Sequence, residues 1–416
     1  MSAAGSTGLR SLFALYWTSA TASYLGDGLR LVAVPLLAAS LSTEPSDVAL
    51  VSVAAGLPWL LFGLPAGVVA DRVRRASLMT ALQVVRGGLG VAVVVSVSLQ
   101  VLTIPLLAAL LFLLGGCEVF YDIASHALLP AIVRPQSLQQ ANGRLVTAEV
   151  VVFESVGPAA GGFLFAAAAA LPFAVDAASF FVSAALLLVV ARALPAPTAA
   201  RQPSSVLTDL RIGWRWFSRQ PLVRSLTVLS AAVNLAAGGF YAVFVLFSRD
   251  ELALGPAGYG LLIAASTVGS VVAGLLAGRT ASAGWRRVVC LAVPIAAIGC
   301  LALPAAVPSL PAAVLGLIGF GFAVSLFNVV AMTLRQVVTP NDMLGRITAV
   351  HRVACWGALP VGAALAGVVG DAAGIRAAIG AGAGVAALLA LPALLSARRV
   401  PTSAYAPEQP EPADRP

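Results

Sequence analysis

The chain has 416 residues, of which 60% are hydrophobic and 10% charged, with a net charge of +8 and a mean hydropathy of +0.96. A soluble domain carries about 25% charged residues, so this composition excludes a water-soluble fold and predicts an integral membrane protein. Every one of the 25 basic residues is an arginine. That excludes a P-loop nucleotide hydrolase, whose lysine sits on the phosphates, and a Schiff-base enzyme.

A helical span needs roughly 20 apolar residues. The runs predict twelve, at 12–41, 48–70, 77–99, 102–127, 145–168, 171–193, 222–248, 257–279, 287–306, 311–334, 347–369 and 374–396. They lack the period-2 alternation of barrel strands. The first run holds Asp27 in LGDGLR, flanked by glycines that permit close approach, with Arg30 one turn on. A buried carboxyl tends to hold its proton, which makes Asp27 a candidate proton carrier. Permanent neutralisation by Arg30 is the competing reading. Between the second and third spans lies GVVADRVRRA, Gly67 to Ala76, with Asp71, Arg72, Arg74 and Arg75. In the fourth span Glu118 and Asp122 are four apart and share a helical face, so they either share a proton or, for Asp122, belong to a gate nearer the span's end. The fifth span holds Glu149, one turn in, then Glu154 and the run Gly157, Pro158, Gly161, Gly162. Asp176, near the start of the sixth, reads as a helix cap.

Residues 194–221 form the longest loop, whose DLRIGWRWF stretch predicts an amphipathic helix on the membrane surface. The last six spans carry no acid, because Asp250, Glu251, Asp342 and Asp371 are all expected in loops. The Pro-rich tail, 397–416, is expected to be disordered. Cys117, Cys290, Cys300 and Cys355 lie in apolar runs without CxxC spacing, and His126 and His351 are the only histidines, so no metal site is expected. Arginines cluster at alternate span ends, with only Arg249 and Arg376 on the other side. The positive-inside rule then places both termini and the 194–221 loop in the cytoplasm.

The chain also repeats itself. GLLAGRTASA at Gly274 echoes GVVADRVRRA at Gly67, and MLGRITAV at Met343 echoes ANGRLVTA at Ala141, offsets of 207 and 202 residues. In the second copy Gly278 replaces the acid. The expected organisation is a six-helix bundle over 1–193, the 194–221 linker, a second six-helix bundle over 222–396 and the tail. Parallel repeats of this kind place a substrate site at their interface near the midplane.

These residues resemble the major facilitator superfamily. Gly67, Asp71, Arg72 and Arg75 match its G-x-x-x-D-R-x-G-R loop, with Arg74 in place of a glycine. Gly157, Pro158, Gly161 and Gly162 match the G-P-x-x-G-G ending of its antiporter motif, although Arg144 and Phe153 replace upstream glycines. LGDGLRLVAVPLL, VDAASFFVSA and RQVVTPNDMLGRITAVHRV are similar to the enterobactin-exporter-like and macrolide-efflux-like branch, and the resemblance spans about residues 10–396. It implies an all-α fold of twelve membrane helices and a latch in which Asp71, held by Arg75, meets the end of span eleven. It also implies a cavity lined by spans one, four, seven and ten. Those spans offer Tyr24, Phe120, Asn234, Phe240, Tyr241, Phe244, Phe320, Phe327 and Asn328. Such an aromatic cavity with a few amides suits an amphipathic ligand.

The expected function is proton-coupled export of a small amphipathic molecule by a bacterial inner-membrane antiporter, with Asp27, Glu118, Asp122 and Glu154 as proton-coupling candidates. Nutrient uptake, facilitated diffusion and a receptor with the same fold are the alternatives. No cofactor, enzymatic activity or nucleic-acid partner is expected. The expected partners are the substrate, protons and the bilayer, and the expected state is a monomer.

Overall fold

A computed structural model describes residues 3–194, 214–277, 282–340 and 343–405. Among the described residues, twelve helices are long and apolar enough to cross a membrane. In chain order they are α1 (Ala3–Leu41), α2 (Pro45–Arg72), α3 (Arg75–Ser98), α4 (Ile104–Ile132), α5 (Leu138–Ala167), α6 (Leu171–Ala193), α7 (Pro221–Asp250), α8 (Pro256–Ala277), α9 (Ala283–Ala306), α10 (Leu310–Val338), α11 (Leu344–Ala373) and α12 (Ile375–Arg398). Helices satisfy every backbone group internally, which a bilayer demands. Their ends follow local chemistry: Thr103, Ser282 and Ser309 cap α4, α9 and α10 through their side-chain oxygens. Between α11 and α12, Gly374 takes φ 87°, a left-handed turn that suits glycine.

The helix packing repeats with an offset of six. Within the first half α1 packs on α5 and α6, α2 on α4, and α3 on α4 and α6; within the second, α7 packs on α11 and α12, α8 on α10, and α9 on α10 and α12. The halves meet along two seams, α2 with α11 and α5 with α8, which the same offset exchanges. The packing of the last six helices thus corresponds helix for helix to that of the first six.

Twelve alternating spans put both chain ends on one face. At the opposite face the halves are clasped. Asp371 Oδ1 accepts from the Ser46 amide at 3.0 Å, and Arg249 Nη1 donates to the Ala39 carbonyl at 2.9 Å. Gly370 lies against Pro45, and Gly162 against Pro256 and Gly260. Halfway along the α2–α11 seam Trp59 and Trp356 stack, with centroids 4.6 Å apart. Further toward the termini-bearing face the seam loosens: a Cβ added at Gly63 or Gly67 would meet nothing within 4 Å. The described residues therefore hold the two halves in close contact at the opposite face and leave open space beside α2 toward the termini.

Three expectations are corrected. Asp371 sits in the last turn of α11, and Asp250 ends α7, so neither lies in a loop. The start of the tail is ordered: α12 runs to Arg398 and Thr402–Tyr405 forms a 3-10 turn. There Tyr405 is buried and donates to the Ala397 carbonyl at 3.1 Å, and burial pushes its phenol up to about 12. Arg287 ties this turn down through Thr402 and the Arg398 carbonyl. Residues 406–416 and 195–213, with most of the expected surface helix, lie outside the described residues. Residues 214–219 are helical, with Trp214 exposed and Phe217 buried.

Candidate functional site

The first half encloses a ladder of polar side chains. Along α1, Ser19, Ser23, Asp27 and Arg30 fall on one face at helical spacing; α3 contributes Gln83 and Arg86, α4 Glu118, and α6 Asp176 and Ser183. Asp27 Oδ1 accepts from Arg30 Nη2 and from Arg86 Nη2, both at 2.5 Å, and Ser23 donates to its Oδ2 at 3.3 Å. Glu118 Oε2 lies 3.2 Å from Arg30 and 3.9 Å from Arg86, while Asp176 Oδ2 lies 3.4 Å from Arg30 Nε. Below them Gln83 donates to Ser23 at 3.0 Å and to Ser183 at 2.8 Å. Arg86, only 1% exposed, donates to Gln83 and sits 4.0 Å above the Phe180 ring. A cation over an aromatic face gains about 2 kcal/mol or more when desolvated.

Three carboxylates (Asp27, Glu118, Asp176) face two guanidiniums (Arg30, Arg86), so with every group ionised the cluster carries 2 − 3 = −1. One proton balances it.

Glycines make the cluster possible. A Cβ on Gly26 would strike Ser179 Oγ and Asp176 Oδ1, and one on Gly28 would lie 2.7 Å from the Phe153 carbonyl. The expected role of the glycines around Asp27 is thereby visible: they bring α6 and α5 onto α1. Asp176 is not a helix cap. It lies on the second turn of α6, 1% exposed, facing Arg30.

The remaining acids are placed separately. Asp122 Oδ2 lies 3.3 Å from Arg352 Nη1 of α11, an ion pair that links the two halves on the termini-bearing side, with His126 Nδ1 3.6 Å from its other oxygen. Asp122 thus pairs with α11, apart from Glu118, which faces Arg30. Partly exposed pairs are worth about 0–1 kcal/mol. Asp122→Asn and Arg352→Gln are therefore each expected to shift the open–closed balance less than about fivefold, and a charge swap at both positions to restore it, as read by spin-label distances across the cleft.

The fifth span carries an irregularity that the sequence conceals. Glu149–Val156 is a π-helical turn between the α-helical segments Leu138–Ala148 and Gly157–Ala167. Pro158 has no N–H, so the Glu154 carbonyl four residues back loses its usual donor; Thr267 Oγ1 of α8 supplies one at 2.7 Å. π-Turns recur at functional sites. The glycines that follow pack as expected: a Cβ on Gly161 would lie 2.7 Å from the Leu29 carbonyl, and one on Gly157 2.6 Å from Gly28. The Glu154 carboxylate has no partner among the described residues.

The cavity candidates divide. Tyr24, Phe120, Asn234 and Tyr241 are half-buried and Asn328 is exposed in the lower third of α10. Phe244 and Phe327 are corrections, as are Phe240 and Phe320. All four are buried in the second half's core, where Phe240 stacks on Phe244 at 4.2 Å and Tyr241 meets Phe320 edge-on. Gly67 and Arg72 lie in the last two turns of α2, Arg75 Nη1 donates to the Ala127 carbonyl at 3.1 Å and Arg74 caps the end of α6. The side chain of Asp71 and all of Gly278 lie outside the described residues. A separate cavity of about 680 Å³ opens near the termini, between Phe13, Trp17, Arg134 and Arg144.

The functional group that sequence reasoning missed is Arg86. Its signal was present: Gln83 and Arg86, three apart, interrupt the apolar run of α3.

The family whose profile matches residues 7–413 is described as transmembrane secretion effector. Enterobactin exporter EntS of Salmonella choleraesuis (strain SC-B67) is 28% identical over 355 residues, covering 84% of this chain and 83% of that one; EntS of Escherichia coli O1:K1 / APEC is 28% identical over 84% and 82%. Among solved structures, a bacterial homologue of the human lysosomal transporter Spinster, inward-facing and unoccupied, aligns with TM-score 0.72 at 14% identity over 94% of this chain and 97% of its own. A bacterial homologue of the iron transporter ferroportin aligns at 0.71 and 16% identity, over 94% and 99%.

Proposed function

The chain belongs to the transmembrane secretion effector family of major facilitator transporters, and from that premise we propose that it exports a small amphipathic molecule, siderophore-like in kind, in exchange for protons. It is a multi-pass inner-membrane transporter and not an enzyme. The observation that carries the proton coupling is the enclosed cluster of Asp27, Arg30, Arg86, Glu118 and Asp176, whose unbalanced charge of −1 one proton cancels. Ionisable groups inside a membrane protein are costly and mark ion pathways. The 28% identical exporters favour a siderophore among amphipathic cargoes.

The arginine-rich, termini-bearing face is cytoplasmic in this reading, and the arrangement in close contact at the opposite face is the loading state. In the opposite state Asp71 meets the N-terminus of α11, where a helix dipole favours a carboxylate by about 0.3–1 kcal/mol. The clasp of Asp371 on the Ser46 amide is its counterpart across the seam. The two antiparallel helices α2 and α11 then exchange one acid-to-helix-end contact for another in each cycle. Glu154, within the π-turn and unpartnered among the described residues, is a second proton-coupling candidate. One charge crossing ~100 mV supplies about 2.3 kcal/mol and each pH unit about 1.4, so one proton sustains a gradient of roughly fifty-fold, and about tenfold more per pH unit.

The test uses purified protein in proteoliposomes with enterobactin as probe. Transport accelerated by an imposed pH gradient, and abolished by collapsing it, is the expected result. Gradient-independent equilibration would replace this reading with facilitated diffusion.

A further inference from the structure

Building on the proton-coupled reading, we propose that Asp176, on α6, is the residue that takes up the transported proton, and that Asp27 organises the cluster by holding its two arginines.

The three acids of the cluster are not equivalent. Asp27 receives two guanidinium donors at 2.5 Å and a serine hydroxyl. That is close to saturation for a carboxylate, and a proton there would displace a charge-assisted bond. Glu118 has 38% of its side chain exposed and faces both arginines. Asp176 has neither advantage. It is 1% exposed, and among the described residues neither carboxylate oxygen has a hydrogen-bond donor and its only cationic contact is the edge of Arg30 at 3.4 Å, whose Nε–H is also unmatched. The charged groups that face it are Arg30 and Asp27 from α1, Arg86 from α3 and Glu118 from α4. The segment of α5 that packs on α6, Gly157–Ala167, has no ionisable side chain.

An isolated buried carboxylate is the least favourable ion in such a set. When the cluster accepts one proton, the new O–H bond therefore forms on Asp176, and the net charge goes from −1 to 0. The two arginines stay bound to Asp27 throughout. Glu118, partly exposed and bonded to the same Arg30, is the entry point through which the proton reaches the buried acid. Gly26, against which the carboxylate rests, holds Asp176 in this position.

Infrared difference spectra of the purified protein in lipid, taken between acidic and alkaline buffers, read a protonated buried carboxyl directly and need no substrate. A carboxyl carbonyl band that titrates in the wild type, disappears in Asp176→Asn and persists in Glu118→Gln and Glu154→Gln is expected. Asn mimics the neutral acid, so the variant should fold; Asp176→Glu, which keeps the acid but displaces it, should move the titration midpoint. In enterobactin-loaded proteoliposomes Asp176→Asn should lose the pH-gradient stimulation, at least about tenfold per imposed pH unit. A band that survives Asp176→Asn overturns the proposal, as does a wild type with no titrating carboxyl. If gradient-driven transport stands while the band survives, only this assignment fails. If wild-type transport ignores the gradient, the proton-coupled reading fails with it.

Discussion

Replacing Asp27 by asparagine is expected to lower the stability of the protein by about 3–5 kcal/mol and to abolish transport. The reason is the sharing of one oxygen. Asp27 Oδ1 is the near partner of both Arg30 and Arg86, and the next anion available to Arg86 is Glu118 at 3.9 Å. Removing the charge at Asp27 leaves Arg86 in a 1% exposed site with only the neutral Gln83 and Ser23 to bond and two aromatic rings beside it. Breaking a buried pair by removing one partner is far worse than removing both. The double variant Asp27→Asn/Arg86→Met should therefore recover part of the loss, a coupling of about 0.5–3 kcal/mol measurable by thermal unfolding in detergent. Equal losses in the single and double variants would mean that the two residues do not act as a pair.

The second large effect belongs to the seam at the opposite face. Gly162 of α5 has no room for a side chain: a Cβ there would lie 2.5 Å from the Pro256 carbonyl and 3.0 Å from the Gly260 Cα. Both are backbone atoms of α8, and backbone cannot rotate aside. Gly162→Leu should hold the two halves apart on that face. Overpacking of this kind costs about 1–3 kcal/mol, a shift of roughly five- to 150-fold away from the closed arrangement. A transporter that must close at this face once per cycle should lose at least about fivefold in rate. Spin labels at the opposite-face ends of α5 and α8 should report longer distances in the variant. Gly63→Leu, on the loose part of the other seam where an added Cβ meets nothing within 4 Å, should leave those distances unchanged.

How much of this was legible beforehand depends on the kind of signal. The twelve spans follow from hydropathy, which the bilayer enforces residue by residue, and the two-bundle plan follows from the echoed loops. The glycines beside Asp27 and in GPAAGG were also readable, because close helix contact demands a missing side chain. The partners of those glycines were not. Nothing in VDAASFFVSA says that Asp176 turns inward onto Arg30, since a membrane helix that is apolar all round has no visible inward face. Arg86 is hidden for a related reason: an arginine in a membrane chain signals topology first, whereas a buried cluster needs arginines and acids together. The π-turn follows from Pro158 only once Thr267 is known to stand opposite Glu154. Phe244 and Phe327 looked like cavity lining because α7 and α10 flank the cleft, yet their side chains fill the core behind it.

The central claim is that a charge imbalance in the first half drives the movement of one half against the other. Spin-label distances across both faces, followed in lipid nanodiscs as pH is varied without substrate, test it most directly. The account predicts a pH-dependent exchange between the arrangement closed at the opposite face and the one closed at the termini, present in the wild type and absent in Asp176→Asn. Distances that do not change with pH in the wild type would contradict it.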